Sequence, residues 1–177
     1  MTTNRISPNA GHADYEKLQR GPNGRGLCRQ CSTEVPAGRR TFCGKKCIEG
    51  WRVKTDPSFV RAKLRERDNG VCRVCGLRTN DVRAALGTLR EVAVHPYVDG
   101  ARDSFPELFA LLQKAKKILG IESRSTLWDA DHIVEVVRGG GECGLENFQT
   151  LCVWCHRVKT ARLAAELAAE RKAKVGT

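Results

Sequence analysis

Nine cysteines in 177 residues, eight of them in four close pairs, constrain this chain more than any other feature. The pairs are Cys28-x-x-Cys31, Cys43-x-x-x-Cys47, Cys72-x-x-Cys75 and Cys152-x-x-Cys155. Aromatic residues make up only 6% of the sequence, so the core is short of large apolar side chains and needs a staple. An odd cysteine count argues against a closed disulfide framework. Residues Met1 to Arg25 are polar, with no apolar stretch of signal-peptide length, which predicts an intracellular chain, cytoplasmic or nucleoid-associated. No run of 18 apolar residues occurs, so no membrane span is expected. In a reducing compartment paired cysteines bind metal more often than they bind each other.

Two thiolates three positions apart, followed by Gly76, which can take a positive φ, form a zinc knuckle at Cys72 and Cys75. Cys152 and Cys155 stand where the last helix should begin, and the free N–H groups of a helix start favour thiolates. These four sulfurs are therefore expected to share one structural zinc. Cys28, Cys31, Cys43 and Cys47 form a second, more compact set, expected to hold another. A thioredoxin-type redox motif would need a βαβ setting that this chain lacks. An iron–sulfur cluster could also use four cysteines; zinc is favoured over both. Cys143 is left over as a small hydrophobe or free thiol.

Charge is distributed unevenly. The net charge is +11, and residues 1–71 carry 15 Lys and Arg against 7 Asp and Glu, whereas residues 128–177 carry 7 of each. Such a cationic N-terminal part favours a polyanionic partner. Arg39, Arg40, Lys45 and Lys46 around the first cysteine set, with Arg157 and Lys159 near the last, are the candidate phosphate contacts. Trp51, Trp128 and Trp154 are expected in the core and not as stacking platforms for bases. His12 and His95 lie outside any cluster and are given no role.

The chain divides into a flexible tail (1–26), a four-cysteine zinc module (27–54) and a main domain (55–177) with a helical insertion (77–127). Asp56-Pro57 reads as an N-cap and first helical residue, opening a basic helix that Asn69-Gly70 stops after Asp68. In the insertion, Val82, Ala85, Leu86 and Leu89 recur at helical spacing. Ser104-Phe105-Pro106-Glu107 has the form of a capping box before a second helix, and Leu108, Leu111, Leu112, Ala115 and Leu119 form its apolar stripe. After Trp128, the β-branched residues Ile133, Val134, Val136 and Val137 predict a strand. Gly139-Gly140-Gly141 predicts a turn, Phe148 to Cys152 a second strand, and about 153–172 a helix.

Polar residues gather at these junctions: Asp131-His132, Asn147 and His156. Asp131-His132-Ile133, the glycine run, Leu145-Glu146-Asn147 and Leu151-Cys152-x-x-Cys155-His156 resemble the HNH nuclease motif. More narrowly, residues from about 28 to 162 are similar to the C-terminal HNH domain of the fork-remodelling annealing helicases of animals. The resemblance implies a small zinc-stabilised α+β fold, with a ββα-metal, treble-clef-like nuclease core. It implies a metal-dependent endonuclease that hydrolyses phosphodiester bonds in DNA. His132 would be the general base, Asp131 and His156 would hold one Mg²⁺ or Mn²⁺, and Asn147 would bridge loop backbone groups and orient His132. DNA is the implied partner, with a separate motor or a replication or repair protein as a further one, since no GxxxxGK[ST] loop occurs in the chain. A non-catalytic zinc-finger nucleic-acid binder is the competing reading, and a zinc-stabilised protein-interaction module a third. The complete Asp-His, Asn and His set disfavours the binder, and the basic N-terminal part disfavours the interaction module.

Overall fold

In the computed structural model, residues 18–93 and 105–175 are described; His12, His95 and Ser104 lie outside them. The order of elements is α1 (Lys45–Thr55), α2 (Pro57–Asp68), α3 (Thr79–Ala93), α4 (Pro106–Leu119), β1 (Trp128–His132), β2 (Phe148–Cys152) and α5 (Val153–Val175). The chain divides into two compact units. Among the described residues, one contains 18–59 together with 142–145, and the other contains 60–93, 105–141 and 146–175. The division falls inside α2, a few residues beyond the expected boundary at 54–55.

In the first unit, residues 18–26 are not the loose tail expected of a Gly- and Asn-rich segment. Arg20 pairs with Gly26 as an antiparallel bridge. The Glu34 carboxylate then accepts hydrogen bonds from the backbone N–H groups of Asn23 (3.0 Å) and Arg25 (2.8 Å) and from the Asn23 side chain (2.7 Å). One anionic side chain thus satisfies a turn that has little apolar surface to bury. The turn leads into a knuckle at Cys28, closed by Cys28 N–H to Thr33 O at 2.7 Å and Ser32 N–H to Cys28 O at 2.8 Å. α1 follows and carries Cys47. Asp56 caps α2 as expected, accepting from Phe59 N–H at 3.0 Å, with Pro57 at the first helical position.

The second unit is built on the β1–β2 hairpin, with α5 continuing directly from β2. The pairing is antiparallel, from Trp128 opposite Cys152 to His132 opposite Phe148. Trp128, Leu151, Cys152 and Val153 are almost fully buried. Cys72 and Leu151 centre one apolar cluster, and Ile121, Leu127 and Val153 centre another, with Trp154 packed on both. α3 and α4, the expected helical insertion, pack on each other. The apolar stripe foreseen for α4 is only partly internal: Leu112 is buried, while Leu111 is 62% exposed. α4 starts at Pro106 after Phe105, with no side-chain cap. It ends at Gly120 in the left-handed conformation, φ 61°, as its position at the end of the stripe predicts.

The first strand is not where β-branched residues placed it. It runs through the polar segment Trp128–His132, and Val134, Val136 and Val137 are exposed, the last two in a 3-10 turn (Val136–Arg138). Strand propensity is a weak preference for a half-buried pleat. Here the hairpin instead takes the segment that can place Trp128 in the core and Asp129 and Asp131 toward α5.

Candidate metal centres and active site

Each cysteine set converges. The Sγ atoms of Cys28, Cys31, Cys43 and Cys47 all lie within 4.8 Å of one another, as do those of Cys72, Cys75, Cys152 and Cys155. The Sγ separations are 3.2 Å for Cys43–Cys47, 3.6 Å for Cys31–Cys43 and 3.8 Å for Cys75–Cys152. A tetrahedron with zinc–sulfur bonds of about 2.3 Å has edges of about 3.8 Å, so both sets could hold zinc. The two knuckles share one backbone turn. Gly76 donates to Cys72 O at 2.9 Å with φ 71°, and Ser32 makes the equivalent bond with φ 59°, a left-handed residue without the glycine that would have announced it.

Electrostatics within the sets also points to a cation. Burial pushes the Cys72 thiol up, but backbone N–H groups of Cys152, Cys75 and Val74 outweigh it and bring it down to about 7. The Thr33 hydroxyl and N–H bring Cys31 down to about 6. Cys47, facing the Cys43 sulfur, is pushed up to about 12, and Cys155 is raised by burial and by its three sulfur neighbours. Four thiolates this close cannot all ionise without a positive charge among them, which a divalent ion could supply.

The hairpin and the first two turns of α5 carry the second constellation. On β1, alternation puts Asp129 and Asp131 on one face, toward α5. Asp131 sits opposite Gln149, whose Nε2 donates to Asp131 Oδ2 at 2.9 Å. Lys159 Nζ donates to the same oxygen at 2.7 Å. Asp131 Oδ1 lies 3.8 Å from His156 Nε2, while His156 Nδ1 lies 3.1 Å from Asp129 Oδ2. Arg124 pairs with the other Asp129 oxygen. His132, opposite Phe148, lies against it with ring centroids 4.2 Å apart. Asn147 is buried. Its Oδ1 accepts from Val134 N–H at 2.8 Å, and its Nδ2 donates to Val134 O at 3.0 Å and Gly140 O at 2.9 Å. The loop 134–140 is thereby closed on one carboxamide. It leaves so little room that a Cβ on Gly140 would stand 1.8 Å from Val134 O.

The family model described as HNH endonuclease matches residues 117–162, the stretch that holds Asp131, His132, Asn147 and His156. Over the longer stretch that includes the upstream cysteines, the chain is 30% identical across 152 residues to the DNA annealing helicase and endonuclease ZRANB3 of Bos taurus. This chain belongs to the HNH endonuclease family. The Bos taurus alignment covers 82% of this chain and 14% of that relative. The ZRANB3 of Mus musculus is 28% identical over 164 residues, covering 87% of this chain and 15% of the relative. The chain thus spans about one seventh of the length of these relatives. The crystal structure of the human ZRANB3 HNH domain shares 30% identity and covers 67% of this chain and 97% of that one, with a TM-score of 0.42; the family assignment rests on the sequence matches.

Within this HNH domain the structure brings Asp131 and His156 together and places His132 and Asn147 on the adjoining strand end and loop. Four residues of the same cluster gave no motif signal: Arg124, Asp129, Gln149 and Lys159 in its present role. The two-residue spacing of Asp129 and Asp131 could have exposed the first carboxylate, had the strand been placed at 128–132. Two expected phosphate contacts are engaged within the protein. Lys159 is tied to Asp131 and to the His132 carbonyl, and lies 3.6 Å from Glu135. Arg157 caps the end of α4 through Leu119 O (3.0 Å) and Gly120 O (2.7 Å). Both sit on α5 where backbone or carboxylate oxygens face them, and such partners hold a cation in place. Arg39, Arg40, Lys45 and Lys46 are exposed in the first unit. Cys143 is half-buried outside both cysteine sets.

Proposed function

We propose that this protein is a metal-dependent HNH endonuclease that hydrolyses DNA phosphodiester bonds. The observation that carries the proposal is the aim of two side chains: Asp131 Oδ1 and His156 Nε2 face each other at 3.8 Å, while Asp131 Oδ2 and His156 Nδ1 are tied off by neighbours. A hard carboxylate oxygen and a bare imidazole nitrogen form a donor pair suited to Mg²⁺ or Mn²⁺. When bound there, such an ion supplies charge stabilisation to the scissile phosphate and the leaving 3′ oxygen.

The chain's own groups do the rest. The His132 imidazole takes the proton from the attacking water as general base. The Phe148 ring, tilted 43° to the imidazole with centroids 4.2 Å apart, packs against it and restricts its rotation. Asn147 holds the 134–140 loop and the strand end from which His132 projects. Zinc in the two cysteine sets acts as scaffold and takes no part in the chemistry. Arg39, Arg40, Lys45 and Lys46 supply phosphate contacts outside the reacting centre. A separate motor or a replication or repair protein is the further partner that the likeness to an annealing helicase supports.

The test is incubation of the zinc-loaded protein with linear and branched DNA, in Mg²⁺, in Mn²⁺ and in EDTA. Cleavage is expected with either ion and none in EDTA. Tight DNA binding with no cleavage in either ion would leave a zinc-finger nucleic-acid binder in place of the nuclease.

A further inference from the structure

We propose that Asp129 is a positioning residue that selects the tautomer of His156 and so leaves Nε2 as its ligand nitrogen. The inference rests on the reading that His156 and Asp131 hold the catalytic ion. Asp129 is two positions before Asp131 on β1, on the same face, and its two oxygens have different partners. One pairs with Arg124, whose side chain also donates to Thr126 O at 3.4 Å; the other lies 3.1 Å from His156 Nδ1. A carboxylate offers acceptors only, and the Arg124 guanidinium donates to one of its two oxygens. The imidazole nitrogen that faces it must therefore carry the proton, because a bare Nδ1 would set two lone pairs against each other. In the neutral ring the other nitrogen, Nε2, is then bare, and it is the one that faces Asp131 Oδ1.

The same logic governs Asp131. Gln149 and Lys159 both occupy its Oδ2, and Oδ1 is left toward His156. Asp129 has no such remaining oxygen, which distinguishes its part from that of Asp131 despite their shared face. A partner of this kind fixes ring orientation and tautomer before the ion arrives, and its loss typically costs about 10–100-fold in metal affinity or activity.

The test needs no turnover. In the intact, zinc-loaded chain without Mg²⁺ or Mn²⁺, nitrogen NMR of the His156 ring at a pH of about 8.5, above the ordinary imidazole value of about 6.5, is expected to show a protonated Nδ1 and a bare Nε2. Asp129→Ala is expected to mix the tautomers and weaken Mn²⁺ binding by about 10–100-fold, and Asp129→Glu to recover part of it. Cobalt spectra of the cysteine sets report whether the variants remain folded. A wild-type ring protonated at Nε2 overturns the proposal without any variant. So does an Asp129→Ala protein that binds Mn²⁺ like wild type while His156→Ala loses it. If His156→Ala itself binds Mn²⁺ normally, the assignment of the ion site fails, which is a different result.

Discussion

Replacing Asn147 tests how the loop that carries the strand end is held. Its carboxamide makes three hydrogen bonds of 2.8–3.0 Å with Val134 N–H, Val134 O and Gly140 O, and the residue is only 7% exposed. Asn147→Ala removes all three bonds and leaves three backbone groups without their partner. At a net value of about 1 kcal/mol per bond the loss is about 3 kcal/mol, and more if water cannot reach the abandoned groups. For a chain of this size that is a fall in Tm of about 6–12 °C. Asn147→Asp is the sharper variant. It is nearly isosteric and keeps the acceptor for Val134 N–H, yet it turns two donated bonds into a carboxylate facing two carbonyl oxygens. It is expected to be at least as damaging as alanine. Urea unfolding measures the stability, and amide exchange at Val134 reports the loop directly, since its N–H should lose protection in Asn147→Ala and keep it longer in wild type. An Asn147→Asp protein as stable as wild type, with Val134 still protected, would refute the reasoning.

His132→Ala should lose cleavage by about 10²–10⁴-fold while keeping DNA and Mn²⁺ binding, read by gel assay and calorimetry. Metal analysis should return two zinc ions per chain, and Cys155→Ser should unfold the hairpin and α5 because zinc binding and folding are coupled. Neutralising Arg39, Arg40, Lys45 and Lys46 together should weaken DNA binding and flatten its salt dependence, by up to about 0.9 in the log–log slope for each phosphate no longer neutralised. Arg67, with the Thr150 hydroxyl, holds the Asp68 carboxyl below its ordinary value. The stability from this lowered value is present in full above the unfolded carboxylate range and is lost as pH falls through Asp68's own value. Asp68→Asn should therefore flatten the acid limb of a stability–pH curve and leave its neutral plateau lower.

The parts legible in the sequence are those set by local chemistry. Metal-ligand spacing is one-dimensional information: two cysteines three apart can be read as a knuckle wherever they occur. The same holds for the Asp56-Pro57 helix start, for the Asn69-Gly70 stop, and for the Asp131-His132, Asn147 and His156 constellation, which lies inside the stretch matched by the HNH family. Other features depended on partners distant in the chain. The strand fell on Trp128–His132 and not on the valine-rich run after it, because pairing with 148–152 and the burial of Trp128 outweigh intrinsic propensity. Residues 18–26 fold because Glu34 accepts their N–H groups, which no composition rule reveals. Lys159 and Arg157 look like two equivalent cations one helical turn from the site. Only the folded chain shows one binding Asp131 and the other capping α4, 37 or 38 residues away. Asp129 is a further case. Its proposed role comes from Arg124 on one side and His156 on the other, 27 residues along the chain. Short-range spacing determines which groups are available to bind an ion, and long-range packing determines which lone pair each of them presents.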